Sequence, residues 1–136
     1  MSSEERTGIR SLVYSGWHRT GSLRRYLGIV TASRCCMIDI DACEYCCVCG
    51  EPLALIETQV SAAPPKRARV TERLAALAGI AAYSVSVQLD VSGEPTTFLV
   101  QQRVPSVCGV QAMNPRVYAY FLWALRENHV CDRVAA

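Results

Sequence analysis

The chain has 136 residues, 51% of them hydrophobic, with a formal net charge of +2 and eight cysteines. That length suits one domain and leaves no room for two full cores. The small net charge does not by itself mark a nucleic-acid binder, and no run approaches the roughly 18 apolar residues of a membrane span.

We read residues 1–136 as a single domain, with residues 1–12 expected to be flexible. The first ten residues are polar and charged, without the apolar stretch of a secretory signal. A cytoplasmic protein is expected. In that compartment cysteines serve as thiols or metal ligands rather than as disulfides. Ser22 to Val30 reads as a short helix, with Ser22 as cap and Leu23, Tyr26, Leu27 and Val30 at helical spacing.

Residues 36–46 read as a strand with Met37, Asp39 and Asp41 on one face. Cys47 to Glu51 is the turn, with Gly50 supplying a permissive backbone. Pro52 to Val60 is a second strand with Leu53, Leu55, Glu57 and Gln59 on one face. So short a link makes the two strands antiparallel. A helix follows from about Ala68 to Ala78, with Val70, Leu74 and Leu77 on its apolar side and Gly79 as its stop. Ala81 to Asp90 and Thr96 to Val104 form a hairpin around Ser92-Gly93. Asn114-Pro115 starts a last helix, with Val117, Phe121, Ala124 and Leu125 as its apolar face. Residues 105–136 are thus a loop and helix appended to the core. The order α-β-β-α-β-β-α, with a right-handed crossover between the second and third strands, predicts an α/β fold bordering on α+β. Its centre is a four-stranded mixed sheet.

Charge is segregated. Residues 35–59 carry Asp39, Asp41, Glu44, Glu51 and Glu57 and no base. Six Arg precede them within residues 1–34, and Lys66, Arg67, Arg69 and Arg73 follow. Asp39 or Asp41 can face Glu57 across the hairpin. Paired carboxylates on adjacent strands are oxygen ligands for a hard divalent cation, which activates water for phosphodiester hydrolysis. Arg19, Arg24, Arg25, Lys66, Arg67 and Arg69 are candidate phosphate contacts, with Trp17 and His18 beside the first three.

The run Met37-Ile38-Asp39-Ile40-Asp41, a hairpin, then Leu53-Ala54-Leu55-Ile56-Glu57-Thr58-Gln59, a helix and a strand resembles the PD-(D/E)XK nuclease superfamily. The stretch from Asp39 to Thr58 is also similar to small proteins of actinobacterial phages. The resemblance covers roughly residues 20–104 and implies a restriction-endonuclease-like core that cleaves DNA with Mg²⁺ or Mn²⁺. It casts Asp41 (or Asp39) and Glu57 as metal ligands. The superfamily's lysine position is Gln59 here, with Lys66 and Arg69 as local sources of the missing charge. The alternative is a catalytically inactive interaction protein on the same scaffold, binding a host or phage protein.

Cys46-Cys47-Val48-Cys49-Gly50 resembles a zinc knuckle, and Cys43 forms a second, overlapping C-x-x-C with Cys46. Tetrahedral Zn²⁺ needs two more ligands, either His129 and Cys131 after the last helix or Cys35 and Cys36. The aromatic last helix (Tyr118, Tyr120, Phe121, Leu122, Trp123) offers one face to the core and another to a partner, including a second copy of the chain.

Overall fold

The computed structural model describes residues 40–131. Ile40 and Asp41 belong to a first compact unit, and every regular element among the described residues belongs to a second that starts at Ala42. The elements are β1 (Ala42–Tyr45), β2 (Pro52–Val60), α1 (Arg69–Ala78), β3 (Ala81–Leu89), β4 (Pro95–Val104), β5 (Gln111–Met113) and α2 (Pro115–Glu127). The predicted helix at Ser22 to Val30 lies outside the described residues, as do residues 36–39 of the first predicted strand.

The five strands form one mixed sheet in the order β1-β2-β3-β4-β5. β1 and β2 pair antiparallel, β2 and β3 are parallel, and β3 and β4 form an antiparallel hairpin. The α+β class and mixed sheet agree with the sequence reading. The strand count does not: β5 adds a fifth strand, pairing Met113 with Phe98 and Gln111 with Val100. Three residues cannot establish a period-two pattern, so only the partner strand defines it.

The helices pack on opposite faces, because β side chains alternate. Ile56, Val85 and Val100 project to one face, where Tyr118, Phe121 and Leu122 of α2 cover them. Tyr118 stacks on Phe98 with ring centroids 4.1 Å apart, and Phe121 meets Tyr83 edge-on at 4.9 Å. Val117, expected on this inner face of α2, is exposed instead. Asn114 caps the helix as expected, its Oδ1 accepting from the Val117 amide at 2.8 Å.

The other face meets α1, and here the expectation reverses. Leu55, Ala75 and Ala82 form a small apolar cluster with Ile80 and Val104. The apolar row Val70, Leu74 and Leu77 points outward, with Leu77 73% exposed, whereas Thr71 is 2% exposed and Glu72 is buried. The reason lies in the sheet. Leu55, Glu57 and Gln59 share a face with Ala82, Ser84 and Ser86, since Leu55 pairs with Ala82, Glu57 with Ser84 and Gln59 with Ser86. A polar surface with small side chains selects the polar, small side of the helix. Gly79 ends α1 at φ +72°, returning its amide to Ala75 and Ala76.

Candidate functional site

Two constellations stand out. The first is a sulfur–imidazole cluster. The link between β1 and β2 is a tight turn: the Gly50 amide donates to the Cys46 carbonyl at 2.7 Å, and the Cys46 amide to the Glu51 carbonyl at 2.8 Å. Gly50 sits at φ +79°, a conformation that favours glycine. The turn folds Cys49 back over Cys46. At the far end of the chain α2 closes through Asn128, and His129 and Cys131 follow directly. The ligand atoms of Cys46, Cys49, His129 and Cys131 all lie within 4.8 Å of one another. Cys46 Sγ is 3.9 Å from Cys131 Sγ, and Cys49 Sγ is 3.3 Å from His129 Nε2.

These distances suit a tetrahedral ion. With Zn–S near 2.3 Å, two sulfurs on one zinc stand about 3.8 Å apart. The electrostatics agree. The Cys49 amide directed at Cys46, helped by that of Val48, brings the Cys46 thiol down to about 7 against the opposing effect of burial. Cys49 is lowered by the Glu51 amide, but burial and the neighbouring Cys46 and Cys131 sulfurs outweigh it, and its thiol ends raised. Sulfurs that compete for protons in this way are suited to sharing a cation. This Cys₃His cluster could hold a metal such as zinc. Cys43, the other candidate from the overlapping motif, is exposed and outside the cluster, with its Sγ near its neighbour's carbonyl. Cys35 and Cys36 lie outside the described residues.

The second constellation is the polar sheet face beneath α1. Glu57 Oε1 accepts from the Thr71 hydroxyl at 2.8 Å. Gln59 is locked by its amide nitrogen, which donates to Ser86 Oγ at 2.8 Å and to the Pro64 carbonyl at 3.2 Å. Both amide hydrogens are thereby engaged, leaving only its carbonyl oxygen to act on a ligand. Glu72 binds Arg67 Nε at 3.1 Å, Arg103 Nε at 3.3 Å and the Ala68 amide at 3.1 Å. Arg103 also donates to Gln101 at 3.2 Å. A cleft of about 140 Å³ opens beside this network, and Glu57, Gln59, Lys66, Arg67 and Ser84 are among its lining residues.

The candidate residues are thus divided. Glu57, Gln59, Lys66 and Arg67 share the cleft. Arg69 does not join them; it borders an outward hollow on α1 with Val70, Arg73, Leu74 and Leu77. Asp41 is half-buried immediately ahead of β1. Asp39, Arg19, Arg24, Arg25, Trp17 and His18 lie outside the described residues. Sequence reasoning missed Thr71, Glu72, Ser84, Ser86 and Arg103. A signal existed in β3, whose non-apolar positions next to the crossover are serines rather than charged residues, as a covered face requires.

Among the described residues no helix is long and apolar enough to cross a membrane. No family model, curated protein or solved structure matches the chain.

Proposed function

We propose that the chain is a zinc-bound α+β domain in which Cys46, Cys49, His129 and Cys131 hold one structural Zn²⁺. The mutual approach of these four ligand atoms to within 4.8 Å carries the reading. Four protein ligands complete a tetrahedral shell and leave no open position for substrate, which is the mark of a structural rather than a catalytic zinc. The ion ties the β1–β2 turn to the segment after α2. Elemental analysis of purified protein should give one zinc per chain. Cys46→Ser and Cys131→Ser should each lose it, while Cys43→Ser and Cys47→Ser keep it. Zinc retained in full by both of the first two variants would overturn the assignment.

A second reading concerns the work this domain does. The cleft lined together by Glu57, Gln59 and Lys66 supports a divalent-metal nuclease of the PD-(D/E)XK type acting on DNA. Glu57 would ligand Mg²⁺ or Mn²⁺, the Gln59 carbonyl oxygen would orient water, and Lys66 would supply the charge that the motif's lysine gives elsewhere. The test is metal-dependent cleavage of DNA by the zinc-loaded protein, abolished in Glu57→Ala. Folded, zinc-loaded protein that leaves DNA and RNA intact with either metal would favour the inactive interaction protein instead. In that case the exposed Tyr120 and Trp123 of α2 are the face to probe, for a host or phage protein or for a homodimer.

A further inference from the structure

The sulfurs of the cluster differ in reach and in freedom to move. Cys46 is wholly buried, whereas Cys131 is half-buried and follows Val130, which is 90% exposed. Their sulfurs stand 3.9 Å apart. A disulfide needs about 2.05 Å, so one sulfur has to advance by about 2 Å. Cys46 is the fixed partner, its amide and its carbonyl both tied within the β1–β2 turn at 2.8 and 2.7 Å. Cys131 is the one that can advance, because it lies beyond α2 and outside any helix or strand. Cys49 is placed differently. Its sulfur faces His129 Nε2 at 3.3 Å, and a bond from it to Cys46 would rework a turn already closed by two backbone hydrogen bonds and by Gly50 at φ +79°.

We propose that Cys131 and Cys46 are a redox pair, which a hydroperoxide converts to a Cys46–Cys131 disulfide with expulsion of the bound ion. The reachable Cys131 sulfur attacks one oxygen of hydrogen peroxide. The O–O bond breaks, the other oxygen leaves as water, and Cys131 becomes a sulfenic acid. The Cys46 sulfur then attacks the Cys131 sulfur, the S–O bond breaks, and the oxygen leaves as a second water. Two thiols and one peroxide give one disulfide and two waters; the sulfurs lose two electrons and the peroxide gains them. In a zinc-loaded cluster the sulfurs carry no protons, so the two protons come from solvent, and the ion leaves with two of its four ligands spent. Burial shields Cys46 from direct oxidation, and its attack caps Cys131 before a second oxygen is added. The disulfide spans the same two ends of the chain as the ion, so the oxidised, zinc-free chain stays fastened there. Ion release rests on the zinc reading; the sulfur pairing rests on the distances alone.

The test treats the full-length chain, its zinc content measured beforehand, with increasing hydrogen peroxide. A chromogenic chelator reads free zinc, and tandem mass spectrometry of a digest reads the linked cysteines. One zinc should leave for each Cys46–Cys131 bond formed, and a dithiol reductant with added zinc should restore the starting state. Cys49→Ser and Cys47→Ser keep both partners and should still form the bond. Limited proteolysis after α2 should be about tenfold slower in the oxidised chain than in the reduced chain stripped of zinc. A Cys46–Cys49 or between-chain bond as the main product, or Cys131 driven to sulfinic acid beside a reduced Cys46, would overturn the proposal. So would a zinc-loaded chain that keeps its metal through excess peroxide, which leaves the zinc reading intact. Protein purified without zinc that still forms the Cys46–Cys131 bond supports the pair and counts against the zinc reading alone.

Discussion

Replacing Glu72 with alanine should destabilise the domain far more than removing Arg67, the cation it holds on the surface side. The Glu72 side chain is 10% exposed and Arg103 is 15% exposed, so this pair is close to buried; Arg67 is 58% exposed. Breaking a buried pair from one side costs about 3–5 kcal/mol, because the remaining charge stays desolvated. Arg103 keeps a bond to Gln101, which brings the cost just below that range, near ~2–3 kcal/mol. The Ala68 amide, left without its carboxylate partner at the start of α1, adds about 1 kcal/mol. Glu72→Ala should therefore cost ~3–4 kcal/mol, a large share of the ~5–15 kcal/mol that holds a typical domain. Arg67→Ala breaks only an exposed pair and should cost about 0.5 kcal/mol. Urea denaturation of the zinc-loaded protein measures both, read as a shift in midpoint at constant slope. In a double-mutant cycle, Arg103→Met added to Glu72→Ala should recover part of the loss, since no buried charge then remains unpaired. Equal costs for Glu72→Ala and Arg67→Ala, or an Arg103→Met that adds its full cost to Glu72→Ala, would refute the description of a buried ionic network.

Phe121→Ala should cost about 2–4 kcal/mol by thermal or urea melting, since the ring packs between Tyr83 and Tyr118 but is only half-buried. Gly79→Ala should cost about 1 kcal/mol: nothing lies within 4 Å of the added carbon, so the whole effect is the left-handed backbone at φ +72°. In the β3–β4 turn the Ser92 hydroxyl, then the Glu94 amide, hold the Asp90 carboxyl below its ordinary value of 3.8. A depressed folded-state value contributes stability above pH 3.8 and loses it as the pH falls further. The difference in stability between wild type and Asp90→Asn should therefore shrink on acidification below that point, as followed by thermal melts. Zinc held by the proposed cluster should be released on acidification, because its ligands must be deprotonated, and a chromogenic chelator would record it.

The elements that the sequence revealed are those governed by local chemistry. Pro52 to Val60 alternates cleanly, and Asn114-Pro115 and Gly79 are end signals with a direct backbone cause. What stayed hidden depends on partners far along the chain. Helical spacing located α1, but hydropathy alone put Val70, Leu74 and Leu77 inside. The sheet face it meets is polar, so Thr71, Glu72 and Ala75 went in. The metal cluster shows the same division. The C-x-x-C and the Gly50 turn were readable, whereas the choice of His129 and Cys131 as completing ligands needed the topology that returns the end of α2 to the β1–β2 turn. Ser84 alternates with the apolar residues of β3 and carries no sign of burial in its own strand. Only the crossover helix made it an interior one.

Strand neighbours in this sheet are neighbours in sequence, so the domain can assemble by zipping each element onto the last. The cysteine–histidine cluster is the exception, joining residues 85 positions apart. Closing a loop of that length in a free chain costs about 4 kcal/mol, so an ion held there would act as a clasp fastened only after everything between its two ends is in place. Stripping it should leave the middle strands standing while the hairpin tip and the tail after α2 come undone first, and limited proteolysis would find those two ends together.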